Sequence, residues 1–237
     1  MTDSTDTTHA RSSDRTDSAR ALEWLQDHAS NDTRQAMASR YGIPTENAYG
    51  VSMAHMKVLG KQLGLDHDLA GALWATGIYE ARVVASLVDE PARVTSRQMD
   101  AWCRDFDSWA VCDTVCFNLF DRAPHAWQKI DPWSRRPEEF VKRGAFALLW
   151  SLALHDRTTA DRPFVDALQL AEREAVDDRP MVTKAITMAL YAVGRRNATL
   201  HAAASATAKR LSESATASAR VVGRSAASRL TRRGRQS

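Results

Sequence analysis

The spacing of the apolar residues constrains this chain most, because it follows the helical repeat of about 3.6 residues. Two stripes with this spacing are Leu69, Leu73, Trp74 and Gly77, and later Met181, Ala185, Met188, Ala189 and Ala192. Runs of alternating apolar and polar β-branched residues, which would favour strands, are missing. The sequence therefore predicts an all-α protein.

Prolines divide these helical segments. They fall at the edges of the periodic stretches, where a helix can begin or must end, at Pro91, Pro124, Pro132, Pro137, Pro163 and Pro180. Helices of roughly 12–16 residues joined by short turns are typical of arrays of antiparallel helix pairs. We therefore expect a helical array of this kind.

The two ends of the chain differ in composition from the middle. Residues 1–19 are rich in Ser, Thr and Asp, and we predict a disordered polar arm there. Residues 20–200 are predicted to form the helical domain. Residues 201–237 consist of Ala, Ser and spaced Arg, and we predict a basic tail that is disordered or loosely helical.

The net charge of +3 hides an asymmetry. From Arg195 to Ser237 there are ten Lys and Arg residues against one acid, Glu213, so that this segment carries +9 and residues 1–194 carry −6. Spaced arginines among small residues favour sequence-independent binding of phosphates, although a solubilising tail has the same composition. A small net charge is thus no argument against a nucleic-acid partner.

Three cysteines are too few for a disulfide scaffold, and the first twenty residues have no apolar signal core. No apolar run approaches the eighteen residues of a transmembrane helix. We expect a soluble cytoplasmic protein without a membrane segment. A zinc site built on Cys112, Asp113 and Cys116 would need further ligands, but His125 and His155 are isolated, so neither a metal nor a cofactor is expected.

The most unusual segment is the run from Phe106 to Cys116. On a helix, Trp109 and Asp113 are four residues apart and share a face. An aromatic plane beside a carboxylate can hold a cationic, electron-poor ligand. The alternative is that Trp109 belongs to the core and that Asp113 is a solvated acid or caps a neighbouring helix.

Five segments in the same order resemble the DNA alkylation repair family, whose members are HEAT-like helical-repeat DNA glycosylases. The matching segments are LGLDHDLAGALW (Leu63–Trp74), YEAR (Tyr79–Arg82), FDSWAVCD (Phe106–Asp113), FVKRGAFALLW (Phe140–Trp150) and VTKAITMALYAVGRRN (Val182–Asn197). The resemblance covers about residues 35–200. It implies a HEAT-like α-solenoid with a concave basic cleft.

The resemblance also implies roles for individual residues. Asp113 matches the catalytic carboxylate of the family, Trp109 its first cleft aromatic and Arg143 the arginine of its next helix. Tyr41 is a candidate cleft residue. The second cleft tryptophan falls on Met188, which keeps an apolar contact but has no π face and so predicts a weaker grip on a cationic nucleotide.

The resemblance implies that Asp113 stabilises an oxocarbenium-like sugar while a cationic N3- or N7-alkylated purine leaves double-stranded DNA. Arg143, Lys184, Arg195 and Arg196 would hold phosphates, although the last three could equally be solvated helix positions. We expect a monomeric, nucleoid-associated protein. Glu80 is expected to pair with an arginine of a neighbouring helix.

Two other functions are compatible with the sequence. The first is a non-catalytic HEAT-like module that binds DNA structures or a protein partner, which Met188 and the basic tail favour. The second is redox or metal regulation through Cys103, Cys112 and Cys116, although buried free thiols are the simpler interpretation.

Overall fold

The computed structural model of the chain describes the backbone of residues 6–231 and the side chains from Asp17 to Thr231. Within this part the chain is helical and contains no strand, so the prediction of an all-α protein is confirmed. None of the helices in this range is long and apolar enough to cross a membrane. The α-helices are α1 (Asp6–Asp27), α2 (Asn31–Tyr41), α3 (Met53–Leu63), α4 (His67–Ala75), α5 (Tyr79–Val88), α6 (Ser96–Arg104), α7 (Trp109–Asn118), α8 (Ala126–Ser134), α9 (Glu139–His155), α10 (Asp161–Glu174), α11 (Pro180–Val193), α12 (Ala198–Ser212) and α13 (Ala217–Thr231), with 3₁₀ turns at Pro91–Arg93 and Phe120–Arg122.

The helices group into two compact units. The first unit runs up to Gln98 and includes Arg122–Pro124, and the second comprises Met99–Asp121 and the chain from His125 onward. In the first unit α5 packs against α3 and α4, and α1 packs against α4 and α5. The stripe of α4 predicted from the sequence lies in this core, since Leu69, Leu73 and Trp74 are buried.

Glu80 holds a loop of the first unit in place. Its buried carboxylate accepts hydrogen bonds from the backbone N–H groups of Tyr49 at 3.0 Å, Gly50 at 2.8 Å and Val51 at 3.1 Å. The expected pairing of Glu80 with an arginine was therefore wrong. The tight course of the loop at Gly50 (φ +86°) leaves no room for a side chain, because a Cβ atom there would lie 2.4 Å from the carbonyl oxygen of Ser30.

The second unit is built from two layers of helices. Helix α9 packs against α7 and α11, and α11 packs against α13; we call these four helices the odd layer. Helix α10 packs against α8 and α12, and these three form the even layer. The layers are joined by contacts of α8 with α9, α10 with α11 and α12 with α13. Connections of four or five residues from α8 onward make successive helices antiparallel, as predicted.

The structure differs from expectation at the C-terminal segment. Residues 198–231, of which those from 201 onward were expected to belong to a tail, form α12 and α13 with buried apolar faces that include Ala204, Ala208, Ala219 and Ala226. A Cβ atom on Gly223 would lie 2.3 Å from the backbone nitrogen of Ser212, so the two helices nearly touch. Small residues allow this close approach. The many contacts between them stabilise the two helices, although the segment has few large apolar side chains.

The two predicted terminal segments are only partly within the described residues. Of the polar arm predicted for residues 1–19, residues 6–19 belong to α1 and residues 1–5 lie outside the described part. Of the basic tail, Arg232, Arg233 and Arg235 lie outside it as well.

Candidate nucleic-acid site

Helix α7 presents Trp109 and Asp113 at the border of the core. The Oγ atom of Ser108 accepts a hydrogen bond from the backbone N–H of Val111 and begins the helix, which makes Trp109 its first residue. Cys112 and Cys116 are fully buried, whereas Trp109 and Asp113 are half-buried. The face shared by these two residues therefore reaches the surface, as the spacing of four predicts.

Asp113 forms a two-pronged ion pair with Arg143 of α9. The Nε atom of Arg143 donates to Oδ1 of Asp113 at 2.9 Å, and its Nη2 atom donates to Oδ2 at 2.6 Å. The Nη1 atom of Arg143 donates to the backbone carbonyl oxygen of Met181 at 2.6 Å, which ties α7, α9 and α11 together. The side chain of Arg143 is only 2% exposed and that of Asp113 is 17% exposed, so the carboxylate is the part of the pair that solvent and ligands can reach.

Burial and ion pairing act in opposite directions on this pair, and burial prevails only at Asp113. Loss of solvent raises the pKa of Asp113 above the ordinary aspartate value, while the hydrogen bonds and charge of Arg143 and the charge of Lys184 act in the opposite direction. Burial lowers the pKa of Arg143, but its bonds to Asp113 outweigh this and raise it overall. Burial thus favours protonation of the Asp113 carboxylate, and Arg143 opposes it.

Helix α11 brings Lys184 and Met188 to the same layer. The Nζ atom of Lys184 lies 5.7 Å from the ring centroid of Trp109, a cation–π contact that spans the site from α11 to α7. Met188 lies one turn after Lys184 and is half-buried. The structure therefore brings Trp109, Asp113, Arg143 and Lys184 together in one cluster, with Met188 on one of its helices.

The remaining predicted residues lie elsewhere. Arg196 donates to the carbonyl oxygens of Ala153 at 3.1 Å and Asp156 at 2.6 Å, and its guanidinium lies 4.0 Å from the ring centroid of Phe164. Arg196 thus caps the end of α9, where backbone carbonyl groups occupy its Nη1 atom. Arg195 is exposed and contacts the ring and hydroxyl of Tyr191.

Tyr41 belongs to the first unit. It is the last residue of α2 and is 50% exposed. Its predicted contact with a nucleotide stays a prediction.

Gly144 follows Arg143 on α9 and lies close to side chains of the core. A Cβ atom on Gly144 would lie 3.2 Å from Sγ of Cys103 and 3.5 Å from the ring of Phe106. The Sγ atom of Cys116 also approaches the Gly144 carbonyl oxygen, at 3.7 Å. Gly144 therefore lets α9 pack closely, and this close packing surrounds the neighbouring Arg143 with protein.

The cysteines form part of this packing. All three are buried thiols, and burial raises the pKa of Cys103 and of Cys116 well above the ordinary value. Among the residues whose side chains are described, no group of three or more His, Cys, Asp or Glu side chains is placed to hold a metal ion.

The sequence does not indicate that the backbone carbonyl oxygen of Met181 accepts a hydrogen bond from Arg143. The role of this oxygen depends on where α11 begins relative to α9, and nothing in the residue type of position 181 signals it. Pro180 at the first position of α11 is the only local hint, because it fixes the start of the helix.

Comparison with known proteins gives a family and a fold. Residues 21–230 match the sequence model of a family described as DNA alkylation repair enzymes. The sequence has no significant match among curated proteins. A solved structure is similar over 81% of this chain and 81% of its own, with a TM-score of 0.71 and 21% sequence identity. It is described as a new family of proteins related to the HEAT-like repeat DNA glycosylases with affinity for branched DNA structures. The predicted HEAT-like fold is thereby confirmed.

Proposed function

Because this chain belongs to the DNA alkylation repair enzyme family, we propose that it excises cationic N3- or N7-alkylated purines from double-stranded DNA. The proposed reaction is hydrolysis of the N-glycosidic bond. The observation that carries the proposal is the carboxylate of Asp113, oriented by two bonds from the buried Arg143 and partly exposed beside the ring of Trp109.

The chemistry needs only one carboxylate. Alkylation at N3 or N7 leaves a positive charge on the purine, which makes the base a good leaving group without protonation. Positive charge then develops on the deoxyribose, and a fixed, poorly solvated carboxylate stabilises it and can position the attacking water. Asp113 is a carboxylate that is mostly buried, and it therefore suits this role.

Arg143 acts by positioning Asp113. Each Asp113 oxygen accepts one bond from Arg143 and retains a lone pair for a sugar or a water molecule. The bidentate geometry fixes the plane of the carboxylate before substrate binds, so that no reorganisation is needed when charge develops. With its guanidinium committed to Asp113 and Met181, Arg143 is a positioning residue and not a phosphate ligand.

Lys184 and Trp109 would exchange partners when DNA binds. Without ligand, the ammonium of Lys184 occupies the π face of Trp109. A cationic nucleotide competes for the same face, and the displaced lysine, which is exposed and flexible, can then bind a phosphate. The exchange keeps the ring in contact with a cation in both states.

The test is single-turnover release of base from duplex DNA that contains N7-methylguanine. We expect Asp113→Asn to lower the rate by about 10²–10³-fold, the usual effect of removing one preorganised electrostatic group. Asp166→Asn is the matched control, since it removes the same charge from an exposed position of α10, and it should leave the rate unchanged. Equal rates for Asp113→Asn and wild type would overturn the proposal.

The pH dependence gives a second readout. Activity requires ionised Asp113 and should fall as the pH drops through its pKa, which burial raises above the ordinary aspartate value. Arg143→Gln removes the group that opposes this shift, so the acid limb of the rate profile should move to higher pH. An acid limb that stays in place would show that Arg143 does not act through Asp113.

A second candidate function is binding of branched DNA without excision. Met188 favours it, because the site has a thioether where the resemblance implies a second aromatic ring, and the similar solved structure is described as having affinity for branched DNA structures. Failure to release base from both N3- and N7-alkylated duplexes, together with tighter binding of a four-way junction than of a linear duplex, would favour this function.

A further inference from the structure

We propose that the outer face of α13 is a binding site for the DNA phosphate backbone, with Arg224 and Arg229 as its ligands. The proposal rests on the proposed function in one respect, namely that the odd layer faces DNA. It places the phosphate binding that the C-terminal composition favours at two named arginines of a packed helix.

The even layer neutralises its own cations. Arginines on or beside its helices form ion pairs with acids of the same layer, at 2.7–2.9 Å: Arg135 with Asp131, Arg162 with Asp166, Arg173 with Glu174, and Arg210 with Glu172. Among the described side chains, Lys209 on α12 and Arg157 before α10 have no acidic partner, and Lys129 of α8 pairs with Asp100 of α6. Such paired cations are poor phosphate ligands, because a phosphate would have to displace the carboxylate that each of them already binds.

Helix α13 differs from this pattern. Arg224 and Arg229 are exposed, and among the residues with described side chains neither has an acidic partner. Arg220 on the same helix is used differently, because its Nη1 atom donates to the carbonyl oxygens of Ser214 and Ala215 and so fixes the turn between α12 and α13. The two arginines with available guanidinium groups therefore lie in the middle and in the last turn of the helix.

The position of α13 makes these arginines relevant to DNA. It packs against α11, the helix that carries Lys184, so the two are neighbours in the odd layer. Its buried face comprises Ala219, Val222, Gly223, Ala226 and Leu230. Arg224 lies on the side opposite to this buried face, and Arg229 lies at its edge.

The helix is held firmly enough to present a fixed site. A Cβ atom on Gly223 would meet the backbone of α12, and one on Gly194, at the end of α11, would lie 2.6 Å from the side chain of Leu230. These two close approaches fix α13 against both neighbours. Arginines on a fixed helix lose less conformational freedom on binding than arginines on a loose tail.

The chemistry of the face indicates which part of DNA it binds. The planar guanidinium matches the geometry of a phosphate. Ser228, one turn after Arg224, is exposed and adds a hydroxyl donor. Val221 and Ala217 are exposed along this face without hydrogen-bonding groups, and the hydroxyl of Thr231 donates to backbone carbonyls of its own helix. The ligand that we propose is the backbone of a duplex, which offers phosphates irrespective of sequence.

The test measures binding of the full chain to an undamaged, fluorescently labelled duplex by anisotropy at several salt concentrations. The double variant Arg224→Gln/Arg229→Gln should reduce the slope of log K against log salt by about 1.8, since each phosphate contact contributes about 0.9. The control is Arg135→Gln/Arg162→Gln, which has the same change in net charge in the even layer and should leave the slope unchanged. Thermal unfolding followed by circular dichroism verifies that all variants are folded.

The outcomes separate this proposal from the previous one. Equal losses for both double variants would show that only total charge matters, and an unchanged slope for Arg224→Gln/Arg229→Gln would show that α13 does not contact DNA; either result overturns the proposal. So would failure of the wild-type protein to bind undamaged duplex at low salt. Because the DNA carries no lesion, loss or survival of base release in Asp113→Asn leaves this experiment unaffected.

Discussion

Two of the Asp–Arg pairs in the second unit lie in different surroundings. Asp113 and Arg143 join α7 to α9 in the odd layer, with side chains 17% and 2% exposed. Asp131 and Arg135 are joined in the same two-pronged way at the end of α8 in the even layer, but are 47% and 59% exposed. Both carboxylates accept bonds from Nε and Nη2 of an arginine, although Asp131 also accepts one from Arg173, and burial is the largest difference between the two pairs.

Burial reverses the direction in which the carboxylate pKa moves. The hydrogen bonds of Arg135 lower the pKa of Asp131, because water still solvates the charge and burial opposes them only weakly. At Asp113 the loss of solvent outweighs the arginine, and the pKa rises. An ion pair in the odd layer therefore costs solvation that a pair in the even layer does not.

The largest expected difference is in stability. Arg143→Gln leaves Asp113 poorly solvated and without its ionic partner, and we expect the free energy of unfolding to fall by about 3–5 kcal/mol. Arg135→Gln, the matched change in the even layer, should cost about 0–1 kcal/mol. Urea unfolding of both variants measures the two values. Similar losses would mean that burial does not distinguish the pairs.

Replacing the whole buried pair sharpens the comparison. The double variant Asp113→Leu/Arg143→Met removes both charges at once, and we expect it to be as stable as wild type or up to about 4 kcal/mol more stable. Base release should be lost. A double variant that is clearly less stable than wild type would show that the buried pair stabilises the fold, contrary to this expectation.

The two carboxylates should titrate on opposite sides of the ordinary aspartate value. Carbon-13 NMR of the carboxyl groups should place Asp113 above it and Asp131 below it. Since the folded state holds the Asp113 proton more tightly than the unfolded state, the contribution of Asp113 to stability falls as pH rises between the two pKa values. For Asp131 the sign is opposite, and stability is lost as pH falls. The reverse order of titration would contradict the assignment.

The smallest effect concerns salt. A double-mutant cycle on Asp131 and Arg135 should give a coupling of about 0.3–0.5 kcal/mol in dilute buffer. In 1 M salt, where the screening length is about 3 Å, this exposed coupling should weaken, whereas the Asp113–Arg143 coupling should persist because the pair is shielded from ions. Loss of both couplings would show that ions reach the buried pair.

The sequence predicted the helices and the members of the central cluster, because periodicity and short motifs are local properties. It did not predict how their polar atoms pair. Arg143 and Arg196 both looked like phosphate ligands, yet one binds Asp113 and the other caps α9. Which carbonyl or carboxylate lies within reach of an arginine depends on helix offsets of a few ångströms, and the sequence carries no direct record of those.

The C-terminal helices show a second limit. Ala204, Ala208 and Ala226 each bury little surface, so composition favours a loose tail. Composition does not show how closely α12 and α13 fit together. Gly223 makes this fit possible, because its lack of a side chain lets the two backbones meet. Packing of small residues depends on shape, and a count of apolar area underestimates it.

The three cysteines have a consequence for a protein of an alkylation repair family. Electrophiles that alkylate DNA also attack sulfur, and the reactive form of cysteine is the thiolate. Cys103, Cys112 and Cys116 are at most 1% exposed, and the raised pKa values of Cys103 and Cys116 keep these two as thiols. The packing that surrounds Arg143 thus also keeps these three thiols away from alkylating reagents, which would otherwise modify them.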